Sequence, residues 1–178
     1  MFYRDLRPHV PVSNLFRNDF WGTPMKKEQS HKSYRPLTVL SFRANYLVHE
    51  LEPLGYHLVN VLLHAGVTLM YHSLATSLLS RPAAAIAALL FAVHPVHTEA
   101  VTGVVGRAEL LASIFFLSAL LKYKNLSWKR TVEWKGLMWV SLLVAFSMMC
   151  KEQGITVIAM CALHEIFVEQ KLSYRDLV

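Results

Sequence analysis

No Asp, Glu, Lys or Arg occurs anywhere between Glu52 and Arg81. A helix on the surface of a soluble protein ordinarily carries charges on its outer face, and this stretch has none. Residues 55–80 are instead long enough to cross a hydrocarbon core of about 30 Å. Cysteine is scarce too. Cys150 and Cys161 both lie in apolar runs, which excludes a disulfide framework and leaves free buried thiols. Lys and Arg outnumber Asp and Glu by 18 to 12 without gathering into one block, so a nucleic-acid partner is not expected. A Gly-rich phosphate loop, a Ser/His/Asp arrangement, an HExxH motif and a Cys/His zinc spacing are all missing. Residues 1–30 lack the apolar core of a cleavable signal peptide.

What the chain does have is apolar length. Hydrophobic residues make up 54% of it, above the roughly 45–50% of soluble proteins, and mean hydropathy is +0.34. Four more apolar runs, residues 83–93, 110–121, 136–150 and 154–167, each fall short of the ~20 residues a lone span needs. Beside a certain span they read as short or polar-ended spans of one bundle. The expectation is an all-α membrane protein with about five transmembrane helices, divided into a loop at 1–54, a bundle at 55–170 and a tail at 171–178.

The loop is broken by Pro8, Pro11, Gly22 and Pro24 and is rich in aromatics such as Phe16, Phe20 and Trp21, residues that favour membrane interfaces. Pro36 suits a helix first turn. After it, Val39, Phe42, Tyr46 and Leu51 fall near one face, as in an amphipathic helix lying on a membrane. A surface helix packed on protein would give the same pattern. Within the long span His57, Asn60, His64, Thr68 and Tyr71 recur at three- and four-residue steps. That polar stripe should face other helices or a wet cavity rather than lipid.

The chain is organised around residues 94–109, HPVHTEAVTGVVGRAE. Pro95 breaks the preceding run, Thr98 can cap a new helix, and Gly103 and Gly106 allow close approach of backbones or a ligand. Ionisable groups held at the mouth of an apolar bundle are costly and usually mark a site. The positive-inside rule puts Arg81, residues 122–135 and the tail in the cytosol. Residues 1–54, the central stretch and residues 151–154 then share the opposite face. The sequon Asn125-Leu126-Ser127 falls on the cytosolic side and should stay bare.

On the shared face the candidates for binding a donor phosphate are Arg35, Arg107, Lys151, His94 and His97, because Arg offers a planar fork and Lys a point charge. Glu99, Glu109 and Glu152 are candidate general bases for a hydroxyl nucleophile. Each has a plainer alternative. Arg107 could pair with Glu109 and Lys151 with Glu152, and His94 and His97 could cap helices. Metal binding by His94-x-x-His97 is disfavoured because Pro95 spoils the helical spacing, so no metal is expected.

Five stretches carry a resemblance: residues 18–25 (NDFWGTPM), 30–40 (SHKSYRPLTVL), 56–60 (YHLVN), 92–111 (AVHPVHTEAVTGVVGRAELL) and 151–156 (KEQGIT). In this order the chain resembles the transmembrane and tetratricopeptide-repeat-containing O-mannosyltransferases, most of all the third of four animal paralogues. The resemblance implies a partial GT-C type bundle in the endoplasmic-reticulum membrane, multi-pass, with a lumenal loop bearing surface helices. It implies the lipid-linked donor dolichyl-phosphate mannose, no separate cofactor, and Ser/Thr of cadherin-type proteins as acceptors. The family's acidic pair lies upstream of the position matching Asp5, and its later helices and repeats lie beyond Val178. The resemblance therefore implies a truncated form, inactive alone, and no catalytic assignment is carried over for that pair. A reading from a different class is a non-enzymatic membrane scaffold or regulator. A transporter bundle is a weaker third, since no paired half-helix repeat occurs.

Overall fold

The computed structural model describes residues 6–7, 9–127 and 133–167. Helix α1 (Pro36–His49) starts with Pro36 in its first turn, where a missing N–H costs nothing. Its inner face carries Val39 and the fully buried Phe42. These meet Leu6, Leu15 and Phe20 of the loop and Tyr56 of the next helix, forming one of two apolar cores. The opposite face, with Leu40, Leu47 and Val48, is exposed. The expected apolar stripe is thus folded onto protein, and Leu51 lies past the helix end, exposed.

Helix α2 (Pro53–Ala75) is the long span. Its polar stripe does interhelical work. Asn60 Nδ2 donates to the carbonyls of Gly103 (3.1 Å) and Val101 (3.4 Å). The His64 ring nitrogen bonds Ala92 O at 3.0 Å, and Tyr71 stacks on Phe91 with centroids 4.6 Å apart. Leu58, Val61, Leu62 and Leu69 are left exposed.

Helix α3 (Arg81–Val93) ends before Pro95 and resumes, through the 3-10 turn Pro95–His97, as α4 (Thr98–Thr102), bent by 46°. Thr98 sits inside α4 rather than capping it. The cap at this break is His94, whose Nδ1 accepts from Val96 N at 3.2 Å. A second 3-10 turn, Val104–Gly106, leads into α5 (Arg107–Ser127). Gly106 is there because the chain doubles back on itself: a Cβ would stand 2.4 Å from Ala100 O.

Helix α5 runs well past the expected end at Leu121, so Lys122 and Lys124 are helical; residues 128–132 lie outside the described set. Helix α6 (Trp134–Cys150), a 3-10 turn (Glu152–Thr156) and α7 (Val157–Phe167) follow. Ala119 and Leu120 of α5, Val140 and Val144 of α6, and Val157 and Cys161 of α7 form the second core. At its outer end Glu165 accepts from Tyr123 OH (3.1 Å) and from Ser127 Oγ, tying α7 to α5.

The described residues are all-α, as expected. Of the five expected spans, α2 and Val104–Ser127 are long and apolar enough to cross a membrane; the bent pair Arg81–Val93 with Pro95–Thr102 makes a third if it counts as one. Helix α6, with 17 residues, and the described part of α7, with 11, fall short of that length.

Candidate functional site

The candidate residues divide among three places around the start of α5. In the first, a ladder of charge crosses the bundle mouth. Arg35, just before α1, grips Glu152 of the 3-10 turn through Nη2–Oε2 at 2.9 Å and Nε–Oε2 at 3.2 Å. Lys151 pairs with Glu109 of α5. The pairings differ from the sequence alternatives: Glu109 faces Lys151 rather than Arg107, and Glu152 faces Arg35.

The ladder is held by the packing beneath it. Arg35 lies over the Phe20 ring, 5.4 Å from its centroid. Thr38 Oγ1 donates to Cys150 O at 2.9 Å, fixing α1 to the end of α6. Ser147 Oγ donates to Ala112 O at 2.9 Å, fixing α6 to α5. Beside the ladder a cleft of about 130 Å³ is lined by Glu109, Ser113, Phe116, Lys151, Gln153 and Thr156 among others.

Lys151 has charged neighbours besides its partner Glu109. Burial, then the neighbouring Arg35, lower its pKa, while Glu152 and Glu99 act the other way without reversing the shift. For Glu152, burial works to raise the pKa, but the hydrogen bonds and charge of Arg35 outweigh it and leave the carboxyl below its usual range. Glu99, on α4, is near enough to influence Lys151 and completes the acidic side.

The second place belongs to Arg107, which is turned away from the ladder and fully buried. Its Nε donates to Asn60 Oδ1 at 2.9 Å; Nη2 donates to Asn45 Oδ1 at 2.8 Å and to Tyr56 O at 3.0 Å. Nη1 donates to Ser41 O at 3.4 Å. The guanidinium also lies over Phe42 and Tyr56, 4.5 and 5.5 Å from their centroids. Arg107, expected among the donor contacts, is placed apart from the ladder, where it joins α1, α2 and α5. Its partners Asn45 and Asn60 escaped the sequence reading as a set. Their signal was an amide on the inward face of each of two apolar helices.

The third place is a ring cluster at the α3–α4 break. His97 lies 4.2 Å from Phe91 and 5.2 Å from His64, centroid to centroid, and the exposed His94 lies 6.2 Å from His97. Rings rather than cations surround these histidines. Among the described residues no cluster of His, Cys, Asp and Glu could hold a metal.

Comparison with known proteins gives the family. No family model and no solved structure matches the chain. It is 55% identical over 168 residues to mouse Protein O-mannosyl-transferase TMTC3, a match covering 94% of this chain and 18% of that protein. It is 54% identical to the Drosophila melanogaster Tmtc3 over 196 residues (95% and 21%) and 46% identical to Xenopus laevis tmtc2 over 179 (98% and 21%). The chain thus spans about a fifth of the length of these relatives. Over the stretch it shares with them, the chain belongs to the TMTC family of protein O-mannosyl-transferases.

Proposed function

We propose that this segment holds the phosphate end of a lipid-linked mannosyl donor within a protein O-mannosyltransferase, at the lumenal face of the endoplasmic-reticulum membrane. The donor is dolichyl-phosphate mannose, and the acceptors are Ser/Thr hydroxyls of cadherin-type domains. One observation carries the reading: Arg35, Lys151, Glu109 and Glu152 converge from three separate elements at the mouth of an apolar bundle. The names of the relatives support it.

Arg35 and Lys151 supply the fork and the point charge that a phosphate needs. Before the donor arrives, Glu152 and Glu109 occupy these cations and keep them aimed. Phosphate exchanges for Glu109 on Lys151, which frees that carboxylate. The acceptor oxygen attacks C1 of mannose, the C1–O bond to phosphate breaks, and dolichyl phosphate leaves with the electron pair. The hydroxyl proton passes to a carboxylate, with Glu109 the leading candidate and Glu99 and Glu152 beside it. Arg107 serves by fixing the helices on which the ladder stands. His94 and His97, among rings, are left out of the phosphate contacts.

A scaffold reading is favoured by one fact, that each cation of the ladder already has its own carboxylate. The test is to graft this segment into mouse TMTC3 in place of its matching stretch. Lys151→Ala and Arg35→Ala should raise the donor KM while stability changes by about 1 kcal/mol or less, the usual worth of part-exposed pairs. Glu109→Gln should lower kcat. If all three variants fold and transfer mannose with unchanged constants, the ladder is a clamp and the scaffold reading replaces this one.

A further inference from the structure

The loop before α1 carries a feature that donor binding does not use. An open groove of about 1500 Å³ runs along it, walled by Arg7, His9, Asn14, Arg17, Lys26 and Lys27 among others, with Phe16 at its side. No Asp or Glu is among the described residues that line it. Arg7, Arg17, Lys26 and Lys27 are all exposed, and none takes part in either ion pair found among the described residues.

The walls are fixed before anything binds. Met25 N donates to Arg17 O at 3.0 Å and Asp19 N to Thr23 O at 2.8 Å, closing the stretch into a hairpin-like turn. Lys32 Nζ ties down the carbonyls of Met25 and Lys27 at 2.5 and 2.9 Å. Asp19, two residues from Arg17, is buried behind the wall, while Glu28, next to Lys27, is exposed and does not line the groove. The Asp19 oxygens accept from Trp21 N, Thr23 N, Ser30 Oγ and His31 N.

We propose that this groove docks an acidic, extended segment of the protein acceptor, a role that rests on the transferase reading above. Four cations that form no ion pair among the described residues, and a histidine, share a concave wall and create a field that selects negative partners. The space exceeds the ~300–1,000 Å³ of small-ligand pockets and is open, which suits a length of polypeptide better than one headgroup. The apolar surface fit for lipid lies elsewhere, on Leu47 and Val48 of α1 and the outer face of α2. An acceptor hydroxyl arrives as part of a chain, so a hold on that chain away from the chemistry would act on acceptor KM and leave the donor step alone.

The test uses the chain in nanodiscs of zwitterionic lipid, with a fluorescein-labelled Asp/Glu/Thr peptide and a neutral Ser/Thr/Gly control followed by anisotropy. The acidic peptide should bind, the control should not, and Arg17→Glu with Lys26→Glu and Lys27→Glu should weaken binding roughly tenfold or more. The neutral Gln triple variant should fall between. In the mouse TMTC3 graft the Glu triple variant should raise KM for an acidic acceptor and leave KM for the donor unchanged. Failure of the acidic peptide to bind, or equal binding by the triple variant, overturns the proposal. So does abolition of peptide binding when anionic lipid is added to the disc, which would assign the groove to headgroups. If peptide binding depends on these residues while the graft transfers no mannose, the groove stands and the transferase reading falls.

Discussion

Replacing Arg107 by Ala tests whether that guanidinium serves the fold or a ligand. It donates four hydrogen bonds to four residues, Ser41 and Asn45 of α1 and Tyr56 and Asn60 of α2, and no carboxylate is among these contacts. Charged hydrogen bonds at about 1.5–3 kcal/mol each would sum to roughly 6–12 kcal/mol. That sum is too large, because Asn45 and Asn60 can turn to other donors and an unfolded chain in a membrane also finds partners. The better guide is the ~3–5 kcal/mol lost when one member of a buried charged contact is deleted.

Against a typical stability of about 5–15 kcal/mol, that loss is roughly a fifth at the least and the whole of it at the most. At roughly 2–4 °C per kcal/mol for a chain of this size, the midpoint should fall by about 6–20 °C. Thermal unfolding in detergent, read by size-exclusion of the surviving monomer, measures it. Arg107→Lys should lie between, since an ammonium cannot reach all the acceptors at once. Arg107→Ala combined with Asn60→Ala should cost less than the two singly, by about 0.5–3 kcal/mol. A variant that unfolds at the parent temperature yet binds dolichyl phosphate more weakly would refute the joint and return Arg107 to the donor site.

Three further outcomes follow from the geometry. Burial works to raise the Asp19 pKa, but bonds from Ser30 Oγ and from the backbone N–H groups of Thr23, Trp21 and His31 outweigh it and hold it below the ordinary 3.8. Its stabilisation is therefore complete above that value and lost as pH falls through the lowered one; hydrogen exchange in residues 17–31 should speed up only in that acid range, and Asp19→Asn should remove the step. Exchanging the ends of one ion pair, Arg35→Glu with Glu152→Arg, should restore the thermal stability that either single change lowers but not donor affinity; full recovery of donor KM would mean that Arg35 contributes nothing beyond the clamp. Asn125 should stay unglycosylated whichever side it faces, because it is helical and Ser127 Oγ is spent on Glu165; mass spectrometry of the glycoprotein fraction checks this, and topology needs a sequon introduced near Lys27 instead.

Where local chemistry set the structure, it could be read from residues alone. The charge-free stretch became α2, Pro36 opened α1, and the stripe through Asn60, His64 and Tyr71 turned inward to bond neighbouring helices. What could not be read was which side of α1 faces protein. Its Val39 and Phe42 face and its Leu40, Leu47 and Val48 face are both apolar, and only the loop core of Leu6, Leu15 and Phe20 decides between them. Periodicity names a face without naming its partner. Length and composition single out two crossings by themselves and a third in the bent pair, while α6 and the described part of α7 are apolar but shorter.

The split of the candidate site has the same origin, and it can be argued from two residues. Read as a loop, residues 94–109 put Arg107 and Glu109 on one surface, where both could meet a donor. The chain instead begins a helix at Arg107, and two residues along a helix turn the side chain by roughly 200°. Arg107 then points at α1 and α2 while Glu109 points at Lys151. One helical start thus separates a cation that holds the scaffold from a carboxylate that can take part in chemistry. Gly106 makes that start possible, since any side chain there would strike Ala100 and push the first turn of α5 away. Gly106→Ala should accordingly disturb both halves at once, lowering thermal stability through the Arg107 joint and donor affinity through Glu109 and Lys151. Loss of only one of these would mean that the two halves are positioned independently.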